Sequence, residues 1–128
     1  MITSSMCILA HLDERDIDIV LSRPVPAATE RTALDPDLIR RRLADVRAHG
    51  YAITEGERVP EAIGIAAPVF DALGEVVGAV SIACLASRAD DRRLTELVPM
   101  VVRAAADISH DLAQLESAGP SATLPATR

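Results

Sequence analysis

The chain predicts an α+β domain in which an antiparallel sheet is flanked by helices. Two apolar runs rich in Val and Ile, residues 62–70 and 76–84, are separated by Asp71-Ala-Leu-Gly74, and an apolar pair around such a turn is a hairpin signal. A stretch from about Asp91 to Leu115 repeats Leu94, Leu97, Val101, Ala105, Ile108, Leu112 and Leu115 at spacings of three and four, the seam of a long helix. The order is helices, then strands, then a helix, with no internal repeat.

Residues 3–11 read as a short helix without a clear start signal. Residues 13–21 read as another, with Asp13 placed to cap it and Ile17, Val20 and Leu21 on one face. The stretch Arg23 to Thr32 is loop, because Pro24 and Pro26 exclude both a helix interior and a central strand. A stronger helix follows. Asp35 is its N-cap, Pro36 takes the first helical position where a missing N–H costs nothing, and Gly50 ends it. Ile39, Leu43 and Val46 form its apolar face. Tyr51 to Thr54 reads as a short strand and Glu55 to Glu61 as a polar loop. Pro99 inside the last helix should bend it or delay its regular start. Residues 117–128, rich in Gly, Pro, Ser, Thr and Ala, read as a disordered tail after a domain spanning residues 1–116.

The length of 128 residues suits one domain. Aromatic residues make up 2%, Tyr51 and Phe70, so the core must be built from Ala, Val, Ile and Leu, and stacking on nucleic-acid bases is disfavoured. The net charge of −6 gives no general attraction to phosphate backbones. All 13 basic residues are Arg, and only Arg40, Arg41 and Arg42 form a run, which reads first as a solvated helix face. Cys7 and Cys84 belong to no CxxC pair, and the N-terminal residues lack the charged region of an export signal. No apolar stretch reaches the roughly 18–20 residues of a membrane span. These features predict a cytoplasmic protein with reduced thiols and no membrane partner.

Alternation divides each apolar run into two faces. Ile63, Ile65, Ala67 and Val69 share one face of the first run, opposite Ala62, Gly64, Ala66, Pro68 and Phe70. Val76, Gly78, Val80, Ile82 and Cys84 share one face of the second, opposite Val77, Ala79, Ser81 and Ala83. The bulkier faces should make the tight core. The faces of small residues leave space that a close-packed helix, such as one carrying Ala104-Ala-Ala106, or a ligand must fill. Ser81 is the only hydroxyl in its run, and its partner is either a backbone carbonyl or a ligand.

The segments Gly50 to Glu57, Ile63 to Asp71 and Gly74 to Ile82 resemble the C-terminal domain of IclR-family regulators. The family pattern passes from a Gly through a Glu and a small residue to an aliphatic, an aromatic and an acidic position. Gly50, Glu57, Ile65, Ala66, Val69, Phe70 and Asp71 match it at the right spacings. Leu9-Ala-His-Leu12, Leu21 to Pro26 followed by Arg31-Thr, Ala86-Ser-Arg88 and Leu94 to Pro99 are also similar to family segments, so the resemblance covers roughly residues 5–113. It implies a GAF-like fold in a dimer or tetramer of a transcription regulator, whose effector is a small organic acid or an aromatic compound. Effector-binding positions then fall at Thr54, Ala62, Gly64, Ser81 and Ala83. Several depart from the family: Thr54 stands where Asp or Ser is usual, Gly64 where Cys, Ser or Ala is usual, and Ala83 where a second hydroxyl often occurs. Such a pocket, with more volume and fewer polar anchors, should favour a larger or less polar ligand, or bind weakly. The winged helix-turn-helix domain and the first half of the sensor domain have no counterpart here. DNA is thus expected to be contacted only through a domain absent from this chain. The open sheet edge that results should pair with another chain.

No metal, cofactor or catalytic motif stands out. His11, His49 and His110 lack ligand spacing, and Glu55, Glu57 and Glu61 lack a nucleophile or positioned partner. Cys84 reads as a small core residue. The leading reading is a non-enzymatic effector-binding module. A truncated regulator that oligomerises without sensing comes second, and a small enzyme on a sensor-like fold comes last.

Overall fold

The helix from Pro36 to His49 shows how closely local chemistry sets an element's limits. The Asp35 carboxylate accepts a hydrogen bond from the Asp37 N–H, Pro36 opens the first turn, and Gly50 closes the helix at φ 82°, a left-handed conformation that side chains resist. In the computed structural model, residues 3–23, 35–56 and 60–118 are described. They form α1 (Thr3–Ala10), α2 (Glu14–Leu21), α3 (Pro36–His49), β1 (Ala52–Glu55), β2 (Ala62–Phe70), β3 (Val76–Leu85), a 3-10 turn at Ala86–Arg88 and α4 (Asp91–Ser117). The loop expected around Pro24 to Thr32, Glu57, and the tail from residue 119 onward lie outside the described residues. Helix α4 reaches Ser117, the first residue of the expected tail. Asp13 stands at the N-cap of α2, but its side chain makes no capping hydrogen bond.

The strands form one antiparallel sheet in the order β1-β2-β3. Its register pairs Ile65 with Ile82 and Ala67 with Val80 on one face, and Gly64 with Ala83 and Ala66 with Ser81 on the other. The two faces inferred from alternation are therefore the two faces of the sheet. The β2–β3 turn is tied by Asp71, whose carboxylate accepts from the Leu73 and Glu75 N–H groups, while Gly74 takes φ 80°. Pro68 sits in the middle strand without cost to the β1 ladder, because that ladder ends at Ala52↔Ala66.

Helices cover both faces. On the bulky face, Ile65, Ala67 and Val69 pack against Val101 and Ala105 of α4, with Leu94, Leu97, Val98 and Leu112 around them. Pro99 lies within the continuous span of α4, and Ile108 and Leu115 of the expected seam remain exposed. On the small face, Ala52 and Ala66 lie beneath Met6, Cys7, Leu9 and Ala10 of α1, with Ile39, Leu43 and Val46 of α3 behind. The space beside Ala52 and Ala66 is thus closed by α1. The Ala104–Ala106 stretch does not fill it, because Ala105 belongs to the same seam as Val101 and faces the opposite side of the sheet.

Polar contacts hold the helices in place. Arg47, in the last turn of α3, donates from Nε to the Ala10 carbonyl (2.8 Å) and from Nη2 to the Leu12 carbonyl (3.1 Å), satisfying groups that the end of α1 leaves open. Arg40 bridges from α3 to Glu14 and Asp18 of α2, and its hydrogen bond to Asp18 is the main cause of its raised pKa. Arg40 is thus an inter-helix tie as well as part of a solvated face. Among the described residues, no helix is long and apolar enough to cross a membrane.

Candidate functional site

The candidate site is the small face of the sheet. Thr54, Gly64 and Ala83 stand side by side across all three strands, in the pairs Thr54↔Gly64 and Gly64↔Ala83. Ser81 is opposite Ala66, and Ala62 is opposite Leu85. Direct antiparallel partners share a face, so all five candidate positions lie on one side of the sheet.

Their surroundings differ. Thr54 is buried, and its Oγ1 shares a hydrogen bond of 2.5 Å with Oγ1 of Thr3, in the first turn of α1. Gly64 lies directly below this pair. A Cβ built on Gly64 would come within 2.0 Å of Thr3 Oγ1 and 3.1 Å of Thr54 Oγ1. The volume that glycine opens here is therefore taken up by the Thr3 side chain. Ser81 and Ala83 are exposed, and Ala62 is half-buried. The face consequently has a closed, hydroxyl-bearing end at Thr54 and an open end along β3.

Sequence reasoning missed Thr3. The spacing of the chain carries no signal for a contact between residues 51 positions apart. The unusual glycine at position 64 was the one hint of a close approach. It also missed Ser109 of α4, whose hydroxyl donates to the Ala105 carbonyl and accepts from the Phe70 N–H at 3.0 Å. That N–H falls at the register shift between Val69 and Phe70, where the β2–β3 pairing is interrupted.

Cys7 borders the same face. It is fully buried, and its thiol donates to the Ala66 carbonyl at 3.3 Å. Burial pushes the thiol up from 9.0 to about 11, partly opposed by a hydrogen bond from the Ala52 backbone. Such a thiol stays protonated and inert. His11 packs edge-on to Phe70 and its Nδ1 is 2.8 Å from the Cys7 carbonyl, while His49 engages the Asp45 carbonyl. Both rings are thus occupied in local structure.

The match to known proteins agrees with this architecture. Residues 3–110 match the family model described as bacterial transcriptional regulator IclR C-terminal. The chain is 34% identical over 116 residues to the HTH-type transcriptional regulator BhcR of Paracoccus denitrificans, a match spanning 90% of this chain and 42% of that regulator. Its fold is similar to the C-terminal domain of the Escherichia coli transcriptional regulator KdgR, with a TM-score of 0.80 and 30% identity over 87% of this chain and 68% of that domain. A more distant likeness of fold, at TM-score 0.73 and 22% identity over 88% of this chain and 63% of the other, is to a double mutant of the PobR inducer-binding domain from Acinetobacter in complex with 3-hydroxybenzoic acid. The matched proteins are transcriptional regulators, a non-enzymatic family. Three helices and a hairpin sheet in this order, closed by a long C-terminal helix, together with a sequence match over most of its length, make this chain a member of the IclR C-terminal family.

Proposed function

We propose that this chain is the ligand-sensing part of an IclR-type transcription regulator, and that it binds a small organic acid or an aromatic effector. Thr54, Ala62, Gly64, Ser81 and Ala83 are its effector-binding positions. The observation that carries this reading is that these positions share one face of the sheet, in adjacent register, with Ser81 and Ala83 open. Short side chains leave room for a ligand body, and the Ser81 hydroxyl offers a directional hydrogen bond. The fold-level likeness to an inducer-binding domain holding a hydroxybenzoic acid makes aromatic acids the first compounds to try. DNA is contacted through a domain outside these 128 residues, and the assembly is a dimer or tetramer.

One observation favours a second reading, a fragment that oligomerises but senses nothing. The Thr3 side chain already fills the space above Gly64 and takes the Thr54 hydroxyl. The two readings separate in a thermal-shift series with aromatic and aliphatic acids, including 3-hydroxybenzoic acid, run on the wild-type chain and on Ser81→Ala. A ligand at a hundred times its Kd stabilises the native state by about 2.7 kcal/mol. The sensing reading expects such a rise in Tm for at least one acid and its loss in Ser81→Ala. No rise with any acid leaves the second reading.

A further inference from the structure

The contact between Thr3 and Thr54 satisfies only half of what it buries. Two hydroxyls carry two protons, and this pair shares one hydrogen bond between the Oγ1 atoms. Neither side chain makes another hydrogen bond among the described residues. Thr3 is 9% exposed and Thr54 6%, so the second proton is buried without an acceptor, a cost that buried hydroxyls ordinarily avoid. The contact also exists only because residue 64 has no side chain, since a Cβ there would collide with Thr3 Oγ1 and press on Thr54 Oγ1. Thr3 therefore stands inside the hollow that the glycine opens. Thr54, Gly64 and Ala83 around it belong to three adjacent strands held in register, whereas Thr3 belongs to the first turn of α1. It is also the part best able to leave. The N–H groups of a first helical turn have no intrahelical partner to hold them, and threonine in a helix divides between two χ1 rotamers where valine keeps to one.

We propose that Thr3 is a displaceable plug in the effector site, an autoinhibitory contact made by the chain itself. Turned about χ1, the Thr3 side chain vacates the space above Gly64. An oxygen acceptor of the effector, a carboxylate or carbonyl oxygen, takes its place and receives the Thr54 proton. The exchange is favoured because the plug leaves one buried proton unshared and the acceptor does not. This inference rests on the sensing reading above and adds how that site is regulated: Thr3 competes with the ligand from within. The apparent Kd is then the intrinsic value divided by the fraction of chains whose plug is turned out. Thr3 thereby sets the sensitivity of the site without adding a bond to the ligand.

Calorimetric titration with the aromatic and aliphatic acids of the thermal-shift series, 3-hydroxybenzoic acid first, tests it on the wild type, Thr3→Ala and Thr3→Val. Thr3→Ala removes the plug and should bind about tenfold more tightly, the gain for a chain that is unplugged about one-tenth of the time. Thr3→Val keeps the bulk in a single rotamer and should bind no better than the wild type. Ser81→Ala added to Thr3→Ala should weaken binding again, which places the gain on this face of the sheet. A second measurement needs no variant: three-bond NMR couplings to Thr3 Cγ2 report χ1 in the wild type, and saturation with the bound acid should change them. An acid that binds the wild type with unchanged couplings, or that binds Thr3→Ala no more tightly, overturns the plug and leaves the sensing reading standing. Binding by Thr3→Ala alone supports the plug. If no acid binds either the wild type or Thr3→Ala, the sensing reading falls and this inference falls with it.

Discussion

The hydroxyls of Thr3 and Thr54 meet at 2.5 Å directly above the α-carbon of Gly64, and this contact joins the first turn of α1 to the middle of the sheet. It accounts for a glycine inside a strand, where glycine ordinarily weakens structure. Gly64→Ala should destabilise the fold by about 1–3 kcal/mol, because the new methyl group collides with Thr3 Oγ1. Adding Thr3→Ala removes the colliding atom, so the double variant should lose less stability than the two single losses combined. Urea titration of the four proteins measures this coupling, and strict additivity contradicts the contact.

The buried Cys7 thiol makes stability depend on pH in alkali. Its native pKa of about 11 exceeds the ordinary 9.0, so above pH 9 the unfolded chain releases a proton that the native state keeps. Stability from this source is complete below pH 9 and declines as pH rises toward 11, by on the order of 2–3 kcal/mol in all. Denaturation of the wild type between pH 8 and pH 11 should show the decline, and Cys7→Ala, less stable overall from its cavity, should show a shallower one. Thiol labelling of the native chain should modify half-buried Cys84 and spare Cys7.

Arg47 holds the end of α1 through two carbonyls that have no other described partner. Arg47→Ala should cost about 1–2 kcal/mol. Arg47→Lys should recover little, because one ammonium does not reproduce the divergent fork of the guanidinium. Hydrogen exchange should show faster opening of α1 in both variants, with α4 unaffected. Equal acceleration across the domain would assign Arg47 no local role.

Ser109→Ala leaves the Phe70 N–H without its acceptor at the register shift. A loss of about 1–2 kcal/mol is expected, felt at the end of β2 and in the neighbouring turn of α4. Ser109→Thr keeps the hydroxyl and should retain most of the stability. Chemical denaturation distinguishes the two.

The elements themselves were legible in the chain, because their causes are local. Asp35, Pro36 and Gly50 bound α3 by capping chemistry alone. The alternation of Ile63, Ile65, Ala67 and Val69 against Gly64 and Ala66 separated the sheet's faces before any register was known. The three-and-four spacing of Leu94, Leu97, Val101 and Ala105 marked the side of α4 that meets the sheet. Tertiary structure alone decided which helix covers which face. The Ala104–Ala106 stretch is compatible with either side, and its side was settled by the larger residues on the same helix. Tertiary structure also brought Thr3 to Thr54 and Ser109 to Phe70, pairs separated by 51 and 39 positions, whose meeting depends on how whole helices dock. Local propensity acts over a few residues and is written in the order of the side chains. Contacts between distant hydroxyls depend on the packing of every element between them, and no short stretch of sequence contains that information.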